Sequence, residues 1–151
     1  MLDFYRTHTF PFKYQIPNYV DKHIQEVKLY SRALKFLRRY LYLIFLRQKN
    51  LEISRILPTH NKILWINVSA PSLGDSLMDL SSRRLLSGKT IDLYTDEKNS
   101  NLYLNDKYFN KIFSNFNDLS THEYDLVILD SFSSRTIKIK AKVAPKIVFV
   151  G

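Results

Sequence analysis

Residues 62–80 read KILWINVSAPSLGDSLMDL, and the fold turns on how they are parsed. Lys62–Val68 is apolar almost throughout, as a strand covered on both faces should be. A polar turn with Pro71 and Gly74 follows. Leu77, Leu80 and Leu85 then predict a helix over 76–86, with Gly88 placed to end it. Strand, turn and helix in that order make the first half of a parallel crossover unit. The turn itself, Gly74-Asp75-Ser76-Leu77, admits two chemistries. Ser76 is a candidate nucleophile, which needs a histidine base and donors for an oxyanion. Asp75 is a candidate general base, able to take the proton from an attacking hydroxyl.

The pattern repeats downstream. TIDLYT (90–95) reads as a second strand, EKNSNLYLN (97–105) as a short helix, and KIFSN (111–115) as a third strand. YDLVILD (124–130) is a fourth, again continuously apolar. SSRTIKIKAKV (133–143) has a helical reading, though its Ile/Lys alternation also permits a strand. KIVFVG (146–151) closes as a fifth. Strands joined by helical crossovers predict an α/β fold with a Rossmann-like parallel sheet of about five strands. Such sheets bind ligands beyond the carboxyl ends of their strands, where the strand order reverses. The 69–75 turn belongs at that edge.

Residues 1–60 read differently and are expected to form an N-terminal extension ahead of a domain at 61–151. The first 19 are aromatic-rich, with Pro11 and Pro17. From about 20 to 50 the pattern is helical, with Val27, Tyr30, Leu34, Leu37, Leu41 and Ile44 in one 3,4-spaced stripe. Leu29, Phe36 and Tyr40 form a second apolar strip, and Lys28, Arg32, Lys35 and Arg39 share another face. Charge is unevenly placed. Residues 1–60 hold eleven Lys/Arg against four Asp/Glu, a net of +7, whereas 61–151 hold twelve against ten. This basic amphipathic helix either packs on the adjacent domain or lies on an anionic membrane. In the second case Arg32, Lys35, Arg38 and Arg39 are the contact residues. A basic patch also suits nucleic acid, but no helix-turn-helix, RNA-recognition or zinc-finger signature supports that partner.

Several classes drop out. There is no cysteine, hence no disulfide framework and no thiolate metal site. Three glycines are too few for a glycine-rich nucleotide loop. Ser87-Gly88-Lys89-Thr90 resembles the tail of a phosphate-binding loop, but Arg83 stands where that loop needs its first glycine. His8, His23, His60 and His122 show no ligand spacing, so no metal site is expected. The N-terminus lacks the apolar core of a secretory signal. The longest apolar run, Tyr40–Leu46, is far short of the ~20 residues of a membrane span.

The nucleophile reading fits poorly with the rest of the chain. In the GDSL-type esterases the serine turn follows its strand almost at once, whereas six residues separate Val68 from Asp75. The late Asp-x-x-His of those enzymes is missing; Asp118-Leu-Ser-Thr-His122 has one residue too many. The esterase is therefore a minor alternative. Taken in order, residues 62–86, 90–116 and 124–151 resemble the N-terminal domain of glycosyltransferase family 9, the ADP-heptose:lipopolysaccharide heptosyltransferases. The matching features are a strand leading into Gly74-Asp75 and a helix; Leu102, Asn105 and Ile112 after the second strand; and Tyr124-Asp-Leu-Val-Ile-Leu-Asp130 followed by Arg135. The turn is about two residues longer than usual, and Asp130 sits one place late.

That resemblance implies the acceptor-side half of a two-domain GT-B transferase, with the donor-binding C-terminal domain absent. Asp75 would be the catalytic base, or alternatively a cap of its helix. Ser69, Ser72 and Gly74 would contact substrate, the two serines through their hydroxyls, or alternatively Ser69 and Ser72 are ordinary turn residues. Arg135 would hold an anionic acceptor group, or alternatively be a solvated helix charge. No cofactor is implied, because the nucleotide-sugar, ADP-linked by resemblance, is a substrate. The implied partners are lipopolysaccharide or another glycolipid acceptor and a separate C-terminal half; the basic helix adds an anionic membrane surface, and apolar surface left where that half would pack suits a second copy as well. The implied location is cytoplasmic, on the inner face of the cytoplasmic membrane. The competing expectation is a non-catalytic module that binds a glycolipid or a partner chain.

Overall fold

The computed structural model describes residues 29–69, 73–119, 124–130 and 133–151. Helix α1 spans Leu29–Phe45. Strand β1 (Lys62–Asn67) leads to helix α2 (Leu73–Asp79), which tightens into a 3₁₀ segment at Leu80–Leu86. Strand β2 (Thr90–Thr95), helix α3 (Glu97–Ser100) and strand β3 (Lys111–Phe113) come next. Strand β4 (Leu126–Leu129), helix α4 (Ser134–Val143) and strand β5 (Phe149–Val150) complete the order.

The sheet has five strands in the order β3-β2-β1-β4-β5, and every pairing is parallel. The expected α/β, Rossmann-like sheet is thus present. Order runs outward from β1 to β3, then returns across β1 to β4, so the reversal lies between β1 and β4. Ile63–Asn67 are all buried and so is the whole of β4. Central strands lie under cover on both sides, which explains their unbroken apolar runs. Alternate residues divide the core. Ile63, Trp65, Ile91, Leu93, Leu126 and Ile128 meet Leu80 and Tyr103 on one face. Leu64, Ile66, Val127 and Leu129 therefore face the other way, and α4 lies against β1 and β4.

Local chemistry accounts for the boundaries. Ser133 caps α4, its side chain accepting the Thr136 N–H at 3.2 Å, which settles 134–143 as helix. Ile137, Lys140 and Val143 are buried along one side. Helix α2 begins at Leu73, three residues ahead of the expected start. Gly88 takes φ +89°, the left-handed turn that only glycine adopts freely. The neighbouring Lys89 ammonium donates to the Pro58 carbonyl at 3.1 Å, so the Ser87–Thr90 string works as a turn between helix and strand.

Two compact units divide the chain, Met1–Arg38 and Arg39–Gly151. Of the first, the structure describes the opening turns of α1. The expected division at 60/61 moves because residues 39–60 join the sheet domain. Ile53 and Ile56 pack against the core, and Glu52 forms a parallel bridge to Phe149. Arg39 is 6% exposed, with its guanidinium 3.6 Å from the Glu52 carboxylate. This corrects its expected place on a membrane-facing side. Arg39 lies one turn from the fully buried Leu43, so the fold takes that face of the helix inward. Arg38 is exposed; Arg32 and Lys35 lie in α1, and their side chains fall outside the described residues.

Candidate functional site

Register brings the ends of three strands level. Asn67 of β1 pairs with Thr95 of β2, and the Asp130 N–H just past β4 donates to the Ile66 carbonyl at 3.0 Å. The residues that follow each strand therefore gather at one edge, at the reversal of strand order.

Beside β4, Ser69 is held twice. Its backbone N–H donates to Asp130 Oδ2 at 2.8 Å, and its hydroxyl lies 3.0 Å from that of Ser133. Ser133 is also the cap of α4, so the loop after β1, the end of β4 and the start of α4 share one hydrogen-bonded knot. Arg135, two residues on, reaches across β1. One of its guanidinium nitrogens donates to the Val68 carbonyl at 2.7 Å and the other to Asp96 Oδ1 at 2.8 Å. The side chain remains 58% exposed. Arg135 is therefore neither a merely solvated charge nor a detached anion binder: it ties β1 to β2 with part of its surface open to solvent.

Tyr94 belongs to the same edge. Burial, then the Asp96 carboxylate, push its phenol above the ordinary tyrosine value, while Arg135 pulls it down. It stays protonated at neutral pH and available to donate a hydrogen bond.

Asp75 is the third residue of α2 and half-buried. A carboxylate in the first turn is favoured by the unpaired N–H groups and the dipole of the helix. Asp75 lies in the first turn of the helix. Gly74 beside it is exposed, and Ser72 lies outside the described residues.

Ser76 has the opposite fate. It is fully buried, its hydroxyl donating to Asn67 Oδ1 at 2.6 Å and lying 2.8 Å from the Tyr103 hydroxyl. A serine without solvent access cannot attack an ester. The esterase alternative is corrected on that ground, because α2 turns Ser76 toward the sheet. Next to this pair, Thr95 Oγ1 is buried without a hydrogen-bond partner.

Structure thus unites Ser69 and Arg135, the second through its contact with Val68, while Asp75 follows in the first turn of α2. It adds Tyr94, Asp96 and Ser133, which sequence reasoning passed over. The signal for Asp96 was present, since an acid directly after an apolar strand marks the ligand edge. Ser133 and Tyr94 gave none, because their roles depend on which strands are neighbours. The assembled groups are hydroxyls, a part-exposed guanidinium and carboxylates, a set suited to a polyhydroxylated or anionic ligand. Among the described residues no cluster of His, Asp or Glu has the form of a metal site.

No protein-family model matches the chain, and no curated protein or solved structure matches it either.

Proposed function

We propose that this chain is the acceptor-binding half of a cytoplasmic, nucleotide-sugar-dependent glycosyltransferase of the heptosyltransferase type, with Asp75 as its general base. One observation carries the reading. Gly74 and Asp75 lie in the first turn of α2, the helix that follows β1, next to a Ser76 buried against the last residue of that strand; parallel sheets take ligands beyond the carboxyl ends of their strands.

In the proposed reaction an acceptor sugar hydroxyl attacks the anomeric carbon of the donor. The new C–O bond forms as the bond from that carbon to the nucleotide diphosphate breaks. The hydroxyl proton passes to the Asp75 carboxylate, and the nucleotide diphosphate leaves with the bonding electrons. A hydroxyl is a poor nucleophile until its proton departs, so a positioned base contributes directly to the rate. Ser69 and the exposed part of Arg135 orient the acceptor, a glycolipid bearing anionic groups. The donor is held by a second Rossmann-like half, in the same polypeptide or another.

The test is transfer from an ADP-linked heptose to a lipid-A-type acceptor, measured with the donor-binding half supplied. Turnover that Asp75→Asn lowers by roughly 10²–10⁴ supports the reading. Turnover unaffected by that substitution sinks it.

A second reading is a non-catalytic glycolipid- or partner-binding module. It is favoured by the apolar side chains that α2 and its continuation leave in solvent, Leu77, Met78 and Leu85. Acceptor binding without transfer, donor half present, decides for it.

A further inference from the structure

Helix α1 has two apolar faces, and the sheet domain uses one of them. Leu43 is fully buried and Arg39 nearly so. At about 100° per residue, Ile44, Leu41 and Phe45 fall roughly 100° to 200° round the helix from Leu43. They are 45%, 41% and 77% exposed.

The borders of this face are graded. Tyr40 stands at its near edge, and the Lys49 ammonium lies 3.2 Å from the Tyr40 hydroxyl and 5.2 Å from the ring centroid. Arg47 follows the last turn, its backbone N–H donating to the Ile44 carbonyl at 2.9 Å and its side chain exposed. Arg55 is exposed as well. From residue 39 to residue 60 the one carboxylate side chain is Glu52, and it faces Arg39 on the buried side. Lys49 thus stands at the edge of this face, and Arg47 and Arg55 are exposed cations of the same segment, whose one acid is Glu52.

We infer that this face of α1 docks on the surface of an anionic lipid bilayer. Leu41, Ile44 and Phe45 enter the boundary between headgroups and acyl chains, while Lys49 and Arg47 stay at headgroup level beside lipid phosphates. An apolar band edged by a tyrosine and then by cations matches the polarity gradient across a bilayer interface. No helix among the described residues is long and apolar enough to cross a membrane. The inference uses none of the residues of the sheet-edge site and stands independently of the proposed transferase activity.

Vesicle flotation tests it with the full chain. The probes are vesicles of phosphatidylcholine alone and of an equimolar mixture of phosphatidylcholine and phosphatidylglycerol. Binding should favour the mixture and weaken as salt screens the exposed charges. Arg47→Gln with Lys49→Gln should lower it by roughly thirtyfold, about fivefold for each charge. Leu41→Ser with Phe45→Ser should abolish it while leaving the circular dichroism spectrum unchanged, because both positions are in solvent. Equal binding to the two vesicle types, or binding to neither, overturns the inference. So does a dimer in vesicle-free solution that Phe45→Ser dissociates, because a second copy would then be the occupant.

Discussion

The Ser76 hydroxyl donates to Asn67 Oδ1 across 2.6 Å, joining the first helix after β1 to the last residue of that strand, and Tyr103 closes the group at 2.8 Å. This contact fixes how α2 sits on the sheet. It also leaves two adjacent side chains in different surroundings, Ser76 fully buried and Asp75 half-buried in the first turn of α2. Ser76→Ala removes the donor to Asn67 Oδ1 and the acceptor of the Tyr103 hydroxyl, and leaving buried groups short of a partner costs about 1–3 kcal/mol. Urea denaturation should show a loss in that range. Labelling by a serine-directed fluorophosphonate should be absent in the unsubstituted protein; labelling that Ser76→Ala removes contradicts the buried position.

Asp75→Asn should separate stability from activity. Its charge at the helix N-terminus is worth about 0.3–1 kcal/mol, so the midpoint of unfolding should hardly move. Sugar transfer should nevertheless fall by the 10²–10⁴ expected for loss of a general base. A stability loss of several kcal/mol with activity lost in proportion would make Asp75 a structural residue.

Glu52→Gln leaves the buried Arg39 guanidinium without the carboxylate that faces it. Burial disfavours the charged form of Arg39, and Glu52 opposes that effect. Breaking one side of a buried ion pair costs about 3–5 kcal/mol. Arg39→Met, which removes the charge and keeps the stem, should cost less than Glu52→Gln. The reverse ranking, read by denaturation, would show that Arg39 is held by its other contacts.

Lys140 carries a pH dependence with a defined sign. Its ammonium group donates to Gln48 Oε1 and lies 5.1 Å from the centre of the Phe149 ring. Burial pushes it down from the usual lysine value to about 8. The unfolded chain then binds the proton more tightly than the folded one, and stability rises with pH between about 8 and the ordinary lysine range. As pH falls through about 8 that gain is lost, and below it the core holds a charge at full cost. Lys140→Met should flatten this part of the stability profile and raise stability at pH 7. A variant whose profile still climbs in parallel with the parent's over that window rules out Lys140 as its source.

Features that depend on neighbouring residues alone are legible in the amino-acid sequence. Continuous apolar runs at 62–68 and 124–130 mark strands that must be covered on both sides, and the crossovers between them demand a parallel sheet. Gly88 announces its turn because left-handed backbone excludes most side chains. The stripe along α1 is equally legible, but not which face the domain takes. Leu41 and Ile44 remain in solvent while Arg39, beside Leu43, goes inward to Glu52. Periodicity reports that a face is apolar; only the shape of the neighbouring surface chooses between two such faces. The same holds at the sheet edge. Asp75 and Ser76 are adjacent in a turn that suits either chemistry, and the position of Asn67 and Tyr103 decides that the serine is the buried one. Ser69 meets Ser133, and Arg135 meets Asp96, because β4 returns across β1 and places α4 there. Those pairs are 64 and 39 residues apart in sequence, a separation over which local propensity carries no information and tertiary packing supplies all of it.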